Sequence, residues 1–587
     1  MKIKFFFITL FIIFYLKLIY ASPLREIYQD IILKTDPTRT QDGITYSFTT
    51  DNLLKNDFLI QFPGKDVWGK KAEEYPGFEF NASLDNNFGL PHCKNDSQCI
   101  TNSTCSNLSS FNNQEGHNTV KMCNGYAEKN LDRFYNIIIR AEKFVDITTL
   151  EPMPDLRFRS ALRNALTFLA RTGKHITIRI LSGSYTTMPS KGFSNEKYQN
   201  KPLLGGYPTW HFLNDLIRDI KNIPESNLNL YVSSMRSCSG RCGPDFLMSL
   251  SWNHSKIIDV DGKYIISGGV NMYDSYYLGK HPVFDLMIEL EGPAATQAIR
   301  FTNLLWRFVR NNIRFYLYYP FNVIEYSSTK NNNYAIVSND LLGHDLYAAP
   351  HTTSGNTEVL AIGRTGYGLY KDDSAKKNNN SDYALYRLLI SAKKRIYIAQ
   401  QSLKAHLNTW PYDTTNEQHT NLISALAKLL IEKGHVYIVQ SPYSDATSIE
   451  SGYLSLTTNE EIWNKIKSEA IAMYPRLEKS TINLKLCNKL HISTIRFNDS
   501  DESWPDNEKI TGHYKFMMVD KGMFYVGSQN FYPSGLQNYG HIINSKKASN
   551  IIRNSFWRPL WKYSSRTEYI PDMCKNAASQ GALLQKI

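Results

Sequence analysis

The feature that most restricts this chain is that its order of elements is written twice. "YNIIIRAEKFVDITTL" (Tyr135 to Leu150) resembles "YRLLISAKKRIYIAQQSL" (Tyr386 to Leu403). Each reads as the end of a helix followed by a β-rich strand. "ALRNALTFLARTGKHITIRIL" (161–181) parallels "LISALAKLLIEKGHVYIVQ" (422–440), each an amphipathic helix, a helix-stopping glycine (Gly173, Gly434) and a strand. "LIRDIKNIPESNLNLYVSS" parallels "IWNKIKSEAIAMYPRLEKSTINLKLC", again read as helix then strand. Alternating strands and helices imply crossover connections. The expected fold is α/β: two similar halves, each a mostly parallel sheet flanked by helices. A pseudo-twofold relates them, with the active site between.

Both series end in the same motif. "WNHSKIIDVDGKYIISGGVN" (Trp252 to Asn271) and "GHYKFMMVDKGMFYVGSQN" (Gly512 to Asn530) each fit HxK, four residues, D, six residues, G[GS]xN. Residues two apart on a strand face one side, so His254 joins Lys256 and His513 joins Lys515. One HxK is weak evidence, but two full copies at matching places in a repeated chain are strong. Two merely buried strands would not explain them, because a lysine is rarely fully buried without a partner. A phosphodiester does. Its cleavage needs a nucleophile, an acid for the leaving oxygen, and donors around the phosphoryl oxygens. Neutral imidazole attacks near neutral pH and imidazolium gives a proton. Lys256, Lys515, Asn271 and Asn530 supply charge and N–H donors, so this chemistry calls for no metal and no cofactor.

The paired motifs resemble the HKD signatures of the phospholipase D superfamily, over roughly residues 130–575. The resemblance implies that one motif histidine becomes a covalent phosphohistidine while the other protonates the leaving alcohol. It assigns phosphate holding to Lys256, Asn271, Lys515 and Asn530, with Ser528 beside them, and makes Asp261 and Asp520 supports. Such proteins usually place a further acid downstream of each histidine, where it accepts the other ring N–H. Asp285 stands there in the first half and only Asn538 in the second. An aspartate fixes a tautomer and stabilises the imidazolium formed on attack. On that ground His254 is read as the nucleophile and His513 as general acid, then base. Gly269 replaces a serine often found there. Gln400 and Gln401, ending the "RIYIAQQ" strand, are further candidates to reach the cleft, or else satisfy a strand end.

The ends of the chain suggest its compartment. "MKIKFFFITLFIIFYLKLIYA" has the pattern of a secretory signal peptide over 1–21, and Lys17 argues against a permanent anchor. Residues 22–125 are read as a Cys-rich accessory segment, 126–320 as the first half and 321–380 as a linker or insert. The second half spans 381–575 and a tail 576–587. Eight cysteines behind a signal peptide suggest disulfides. The spacing of Cys93, Cys99, Cys105 and Cys123 suits two local bridges rather than a zinc knuckle, and Cys238 and Cys242 could close a small loop. The sequon at Asn253 would place a glycan in the active site and is read as chance.

The substrate stays open at this stage. The net charge of +12 attracts phosphate-bearing partners, lipid headgroups or nucleic acid alike. Membrane phospholipid, with peripheral membrane contact, is favoured by apolar segments at 58–80 and 314–321. Single-stranded nucleic acid is the alternative, through charge and stacking on the 37 tyrosines. A non-catalytic phosphate-binding relative is a third reading. No obligate protein partner is inferred.

Overall fold

The computed structural model describes residues 22–76, 93–99, 103–107, 121–151, 153–154, 156–184, 209–239, 250–312, 323–329, 346–347, 349–370, 379–403, 422–445, 453–531 and 534–579, with short pieces at 315–316, 319–320 and 335–336. The expected signal peptide and Cys242 lie outside these residues. Among the described residues no helix is long and apolar enough to cross a membrane.

The chain builds two large sheets. In the first, the strands Leu228–Ser239, Ile176–Gly183, Phe144–Leu150, Ile257–Val260, Tyr264–Gly268 and Asp285–Glu291 lie side by side in that order. In the second, the strands Leu490–Thr494, His435–Gln440, Arg395–Gln400, Lys515–Val519, Met523–Gly527 and Asn538–Asn544 repeat the same order. The α/β class stands, but the expectation of mostly parallel sheets does not. Among the described residues each sheet has two parallel pairings, those made through crossover helices. The motif strands instead form antiparallel hairpins, and the third strand of each trio returns beside them. The physical reason is in the turns. Asp261-Gly262 connects two strands too closely for any crossover.

One element of the third repeated pair also differs. Lys479–Lys489 is helical, and the strand follows only at Leu490. Ile482 and Leu486, one turn apart, are its buried face. The N-terminal residues serve both halves: Tyr46–Asn52 pairs with Thr357–Arg364 in the second sheet, and Leu59–Phe62 pairs with Asp285–Glu291 in the first. Phe58, Ile60, Phe62 and Val67 are core residues.

Three apolar clusters hold the layers together. The helix Lys129–Ile138 packs on the outer face of the first sheet and Leu422–Glu432 on that of the second. The central cluster joins the sheets: Ile257, Leu286 and Ile288 meet Phe516, Met518, Phe524 and Val526. The buried helix Pro293–Asn311, opened by a proline at its start, adds Phe301, Leu305 and Trp306 to that cluster. Disulfides link Cys93 to Cys105, Cys99 to Cys123 and Cys487 to Cys574, and Cys238 is also disulfide-bonded. The two local bridges expected in the Cys-rich segment are therefore present.

Asp261 and Asp520 close the motif hairpins. Each adopts a left-handed backbone, φ 57° and 51°. The Asp261 carboxylate accepts the N–H groups of Glu142, Lys143 and Phe144 at 2.8, 2.9 and 2.9 Å. Asp520 does the same for Lys393, Lys394 and Arg395 at 3.0, 2.8 and 2.9 Å. Both therefore tie the motif hairpin to the start of the neighbouring strand, at the end away from the histidines. Asp261→Ala should cost about 3 kcal/mol in denaturant unfolding, by leaving charge-assisted bonds unmade on a strained backbone. Asp520→Ala, more exposed, should cost about half of that. A loss below about 0.5 kcal/mol for Asp261→Ala would contradict this role.

Candidate active site

Each motif histidine sits just before its strand, where the two halves touch. The His254 N–H donates to the carbonyl of Gln537 at 2.8 Å, and the His513 N–H to that of Phe284 at 2.7 Å. The rings follow the same rule. His254 Nδ1 lies 2.8 Å from Asn538 Oδ1, and His513 Nδ1 lies 2.9 Å from Asp285 Oδ2. All four side chains are buried. This corrects the pairing expected from sequence. Asp285 serves the histidine of the other half, not His254, and Asn538 serves His254. Chain order hides this, because the contact is made only when the sheets dock.

The neighbours fix the tautomers. Asn538 Oδ1 also accepts from Ser528 Oγ at 3.1 Å, while its amide nitrogen donates to the Leu536 carbonyl at 3.3 Å. The amide oxygen therefore faces His254, whose Nδ1 must carry the proton, leaving Nε2 a lone pair. Asp285 Oδ2 accepts the Tyr277 hydroxyl at 3.0 Å and Oδ1 accepts the Leu286 N–H at 2.8 Å. The absence of a serine at Gly269 has a steric cause. A Cβ there would lie 2.2 Å from Asp285 Oδ1. The carboxylate occupies the space a side chain would need.

The electrostatics are those of a site short of negative charge. Lys256 Nζ donates to the His254 carbonyl and Lys515 Nζ to that of His513, both at 2.6 Å. Burial pushes Lys515 down to about 7, opposed by Asp285. Burial and then Lys515 hold Lys256 well below its ordinary value. Burial, followed by the two lysines, depresses both histidines, and His254 further depresses His513. Burial raises Asp285 to about 7 against the pull of Lys515. The mutual effects of these groups place the two rings and the two ammonium groups in one pocket.

Asn271, Asn530 and Ser528 are buried with them. Two tyrosines went unnoticed in the sequence. Tyr277 holds Asp285. The hydroxyl of Tyr453 accepts from Asn271 Nδ2 at 3.0 Å, and its ring meets His513 edge-on at 4.5 Å. Neither belongs to a motif, and among so many tyrosines no periodicity marks them out. Asp261 and Asp520 are the predicted site residues not brought to the rings. Asn253 is wholly buried and bonded to Ser255, which agrees with reading its sequon as chance.

Two buried imidazoles, each held by a residue of the opposite half, thus lie with two buried lysines and two buried asparagines. No family model matches the chain. A curated relative, "Phospholipase D" of Streptomyces antibioticus, is 27% identical over 481 residues, covering 76% of this chain and 78% of that protein. Among solved structures, a phosphatidylserine synthase of Haemophilus influenzae Rd KW20 aligns at TM-score 0.43 and 13% identity, over 85% of this chain and 96% of that one. A phospholipase D family member, Nuc, of Salmonella typhimurium aligns at TM-score 0.20 and 14% identity, over 32% and 91%. At these values the structural likeness adds nothing to the sequence comparison. The chain is thus similar in sequence to a curated phospholipase D over most of its length, and the paired motifs resemble the HKD signatures of that superfamily.

The crossed pairing is checked by following the histidine ring titrations by NMR. Asn538→Asp should raise the His254 midpoint, and Asp285→Asn should lower that of His513, because a carboxylate favours imidazolium and an amide does not. The opposite assignment, with Asp285→Asn moving His254 alone, would overturn it.

Proposed function

We propose that this protein is a phosphodiesterase of the phospholipase D type, working through a phosphohistidine on His254. The observation that carries the reading is the reciprocal holding of two imidazoles by residues of the opposite half. The roles follow from the partners. A nucleophile must be neutral before attack, and an amide partner favours neutral His254. An acid must hold a proton, and the Asp285 carboxylate favours charged His513. The sequence reading reached the same roles from a pairing that the structure reverses.

His254 Nε2 attacks phosphorus as the phosphorus–oxygen bond to the leaving alcohol breaks, and that oxygen takes the Nε2 proton of His513. Water then attacks phosphorus, returns a proton to His513 and releases His254. Lys256, Lys515, Asn271 and Asn530 stabilise the phosphoryl oxygens, where donors in a dry pocket act most strongly. The anion in turn relieves the repulsion between the two lysines.

Phospholipid is the favoured substrate, giving phosphatidate and a headgroup alcohol. The name of the Streptomyces relative supports it, as do the basic charge and the disulfides of a protein made for an oxidising compartment. The purified protein should hydrolyse choline-headgroup vesicles with EDTA present, and His513→Asn should lower turnover by about 10⁴-fold. Turnover of a single-stranded oligonucleotide but not of lipid would replace lipid with nucleic acid. Failure on both, and on bis-p-nitrophenyl phosphate, would leave a non-catalytic binding protein.

The pH profile has a definite sign. Asp285 carries its proton below about 7, and only its ionised form stabilises His513 imidazolium. His513 is held low, so the Asp285–His513 pair keeps the one proton the leaving oxygen needs below about 7 and loses it above, and activity should fall as pH rises through this range. Asp285→Asn should remove that limb and lower kcat by about 10²-fold or more. An unchanged basic limb in this variant would exclude Asp285 from its origin.

A further inference from the structure

Two buried donors in matching places remain unused by the mechanism. Gln400 ends the strand Arg395–Gln400 and stands opposite Lys515 in antiparallel register. Directly opposed residues share a face of the sheet, so Gln400 lies on the side of the catalytic lysine. Its Oε1 accepts the N–H of Phe531, the residue after Asn530, at 3.2 Å. Its Nε2 is shielded from solvent and has no partner among the described residues. Thr149 holds the equivalent place in the first half. The next register pair beyond Thr148 and Ile257 sets it opposite Lys256, and its buried Oγ1 also lacks a partner among the described residues.

One orphaned donor is a defect that costs about 1–3 kcal/mol. Two at equivalent positions, each facing a motif lysine, call for a common cause. The neighbouring ammonium groups are donors themselves and cannot accept. No acceptor among the described residues reaches them, and beside two lysines an anion fits that need. Tyr453 stands against the catalytic groups, bonded to Asn271 and edge-on to His513. Its segment is tied to the end of the Gln400 strand by Gln401 Nε2 to the Leu454 carbonyl at 3.2 Å and Ser455 Oγ to Ser402 Oγ at 3.0 Å.

We propose that Gln400 and Thr149 are phosphoryl-oxygen ligands, one from each half, admitted to the substrate when Tyr453 moves off Asn271. Gln400 has a second task, since its Oε1 holds the turn that carries Asn530. The inference rests on the phosphodiesterase reading and deepens it.

Gln400→Glu separates the two tasks, because a carboxylate still accepts the Phe531 N–H but cannot donate to an oxyanion. Thr149→Val removes the hydroxyl at constant shape. The probe is inorganic tungstate, a phosphate-like dianion, titrated calorimetrically into the full-length protein without any substrate. The wild type should bind it, Gln400→Glu should bind at least about 10-fold more weakly, and Thr149→Val about 3- to 10-fold more weakly. Should Gln400→Glu fail to fold, Thr149→Val decides. Wild-type binding matched within twofold by the folded variants overturns the inference and leaves the function standing. No binding by the wild type brings down the phosphodiesterase reading and this inference together.

Discussion

The structure depends on a reciprocal grip. Each motif histidine is fastened by its backbone and its ring to two consecutive residues of the other half: Gln537 and Asn538 for His254, Phe284 and Asp285 for His513. The hydrogen-bond partner of each imidazole Nδ1 comes from the opposite half. The orientation of both reactive nitrogens is thus a property of how the sheets dock. This accounts for the position of the central cluster, where strands adjoining the two motifs pack against each other. Apolar burial supplies the general adhesion, and the paired hydrogen bonds set the register to within a fraction of an ångström.

The same docking makes the site costly. It strips water from two lysines and two histidines and gives them one buried carboxylate, Asp285. Desolvated like charges raise the energy of the empty pocket, and this is reflected in ammonium and imidazolium groups that all lose affinity for protons. A phosphoryl anion reverses each of these effects at once. Binding and stability therefore pull on the same groups in opposite directions, as is common where a buried polar cluster serves chemistry rather than folding. The hairpin aspartates supply compensation on each side, by organising the start of a central strand through three backbone bonds apiece.

Much of this was legible before any coordinates. The duplication, the motif strands and the grouping of His254, Lys256, Asn271, His513, Lys515, Asn530 and Ser528 all follow from local pattern, because residues on one strand face have no freedom to diverge. Other elements follow competing signals. The helix–strand rhythm points to parallel sheets, whereas Asp261-Gly262 is a hairpin signal. "STINLKLC" looks strand-like, but Ile482 and Leu486 have helical spacing. The partner of each ring was not legible at all, because Asp285 is near His254 in the chain and bonded to His513 in space. Tyr277 and Tyr453 were hidden for a similar reason, being defined by what they touch and not by any spacing.

The asymmetry between the halves has a compact physical origin. In the first, a glycine at 269 leaves space for a carboxylate, which Tyr277 and the Leu286 N–H then saturate. In the second, Ser528 fills the corresponding space, and its hydroxyl turns the Asn538 amide so that oxygen, not nitrogen, faces His254. A glycine with an aspartate and a serine with an asparagine are each self-consistent, whereas exchanging one member alone creates a clash or a misdirected amide. Two otherwise matching imidazoles thereby acquire different partners, an amide and a carboxylate, without any change in the motifs themselves. A duplicated scaffold would begin with interchangeable rings, and interchangeable rings share a proton indifferently. Distinct partners remove that degeneracy, and on the proposed mechanism they divide attack and protonation between the two rings.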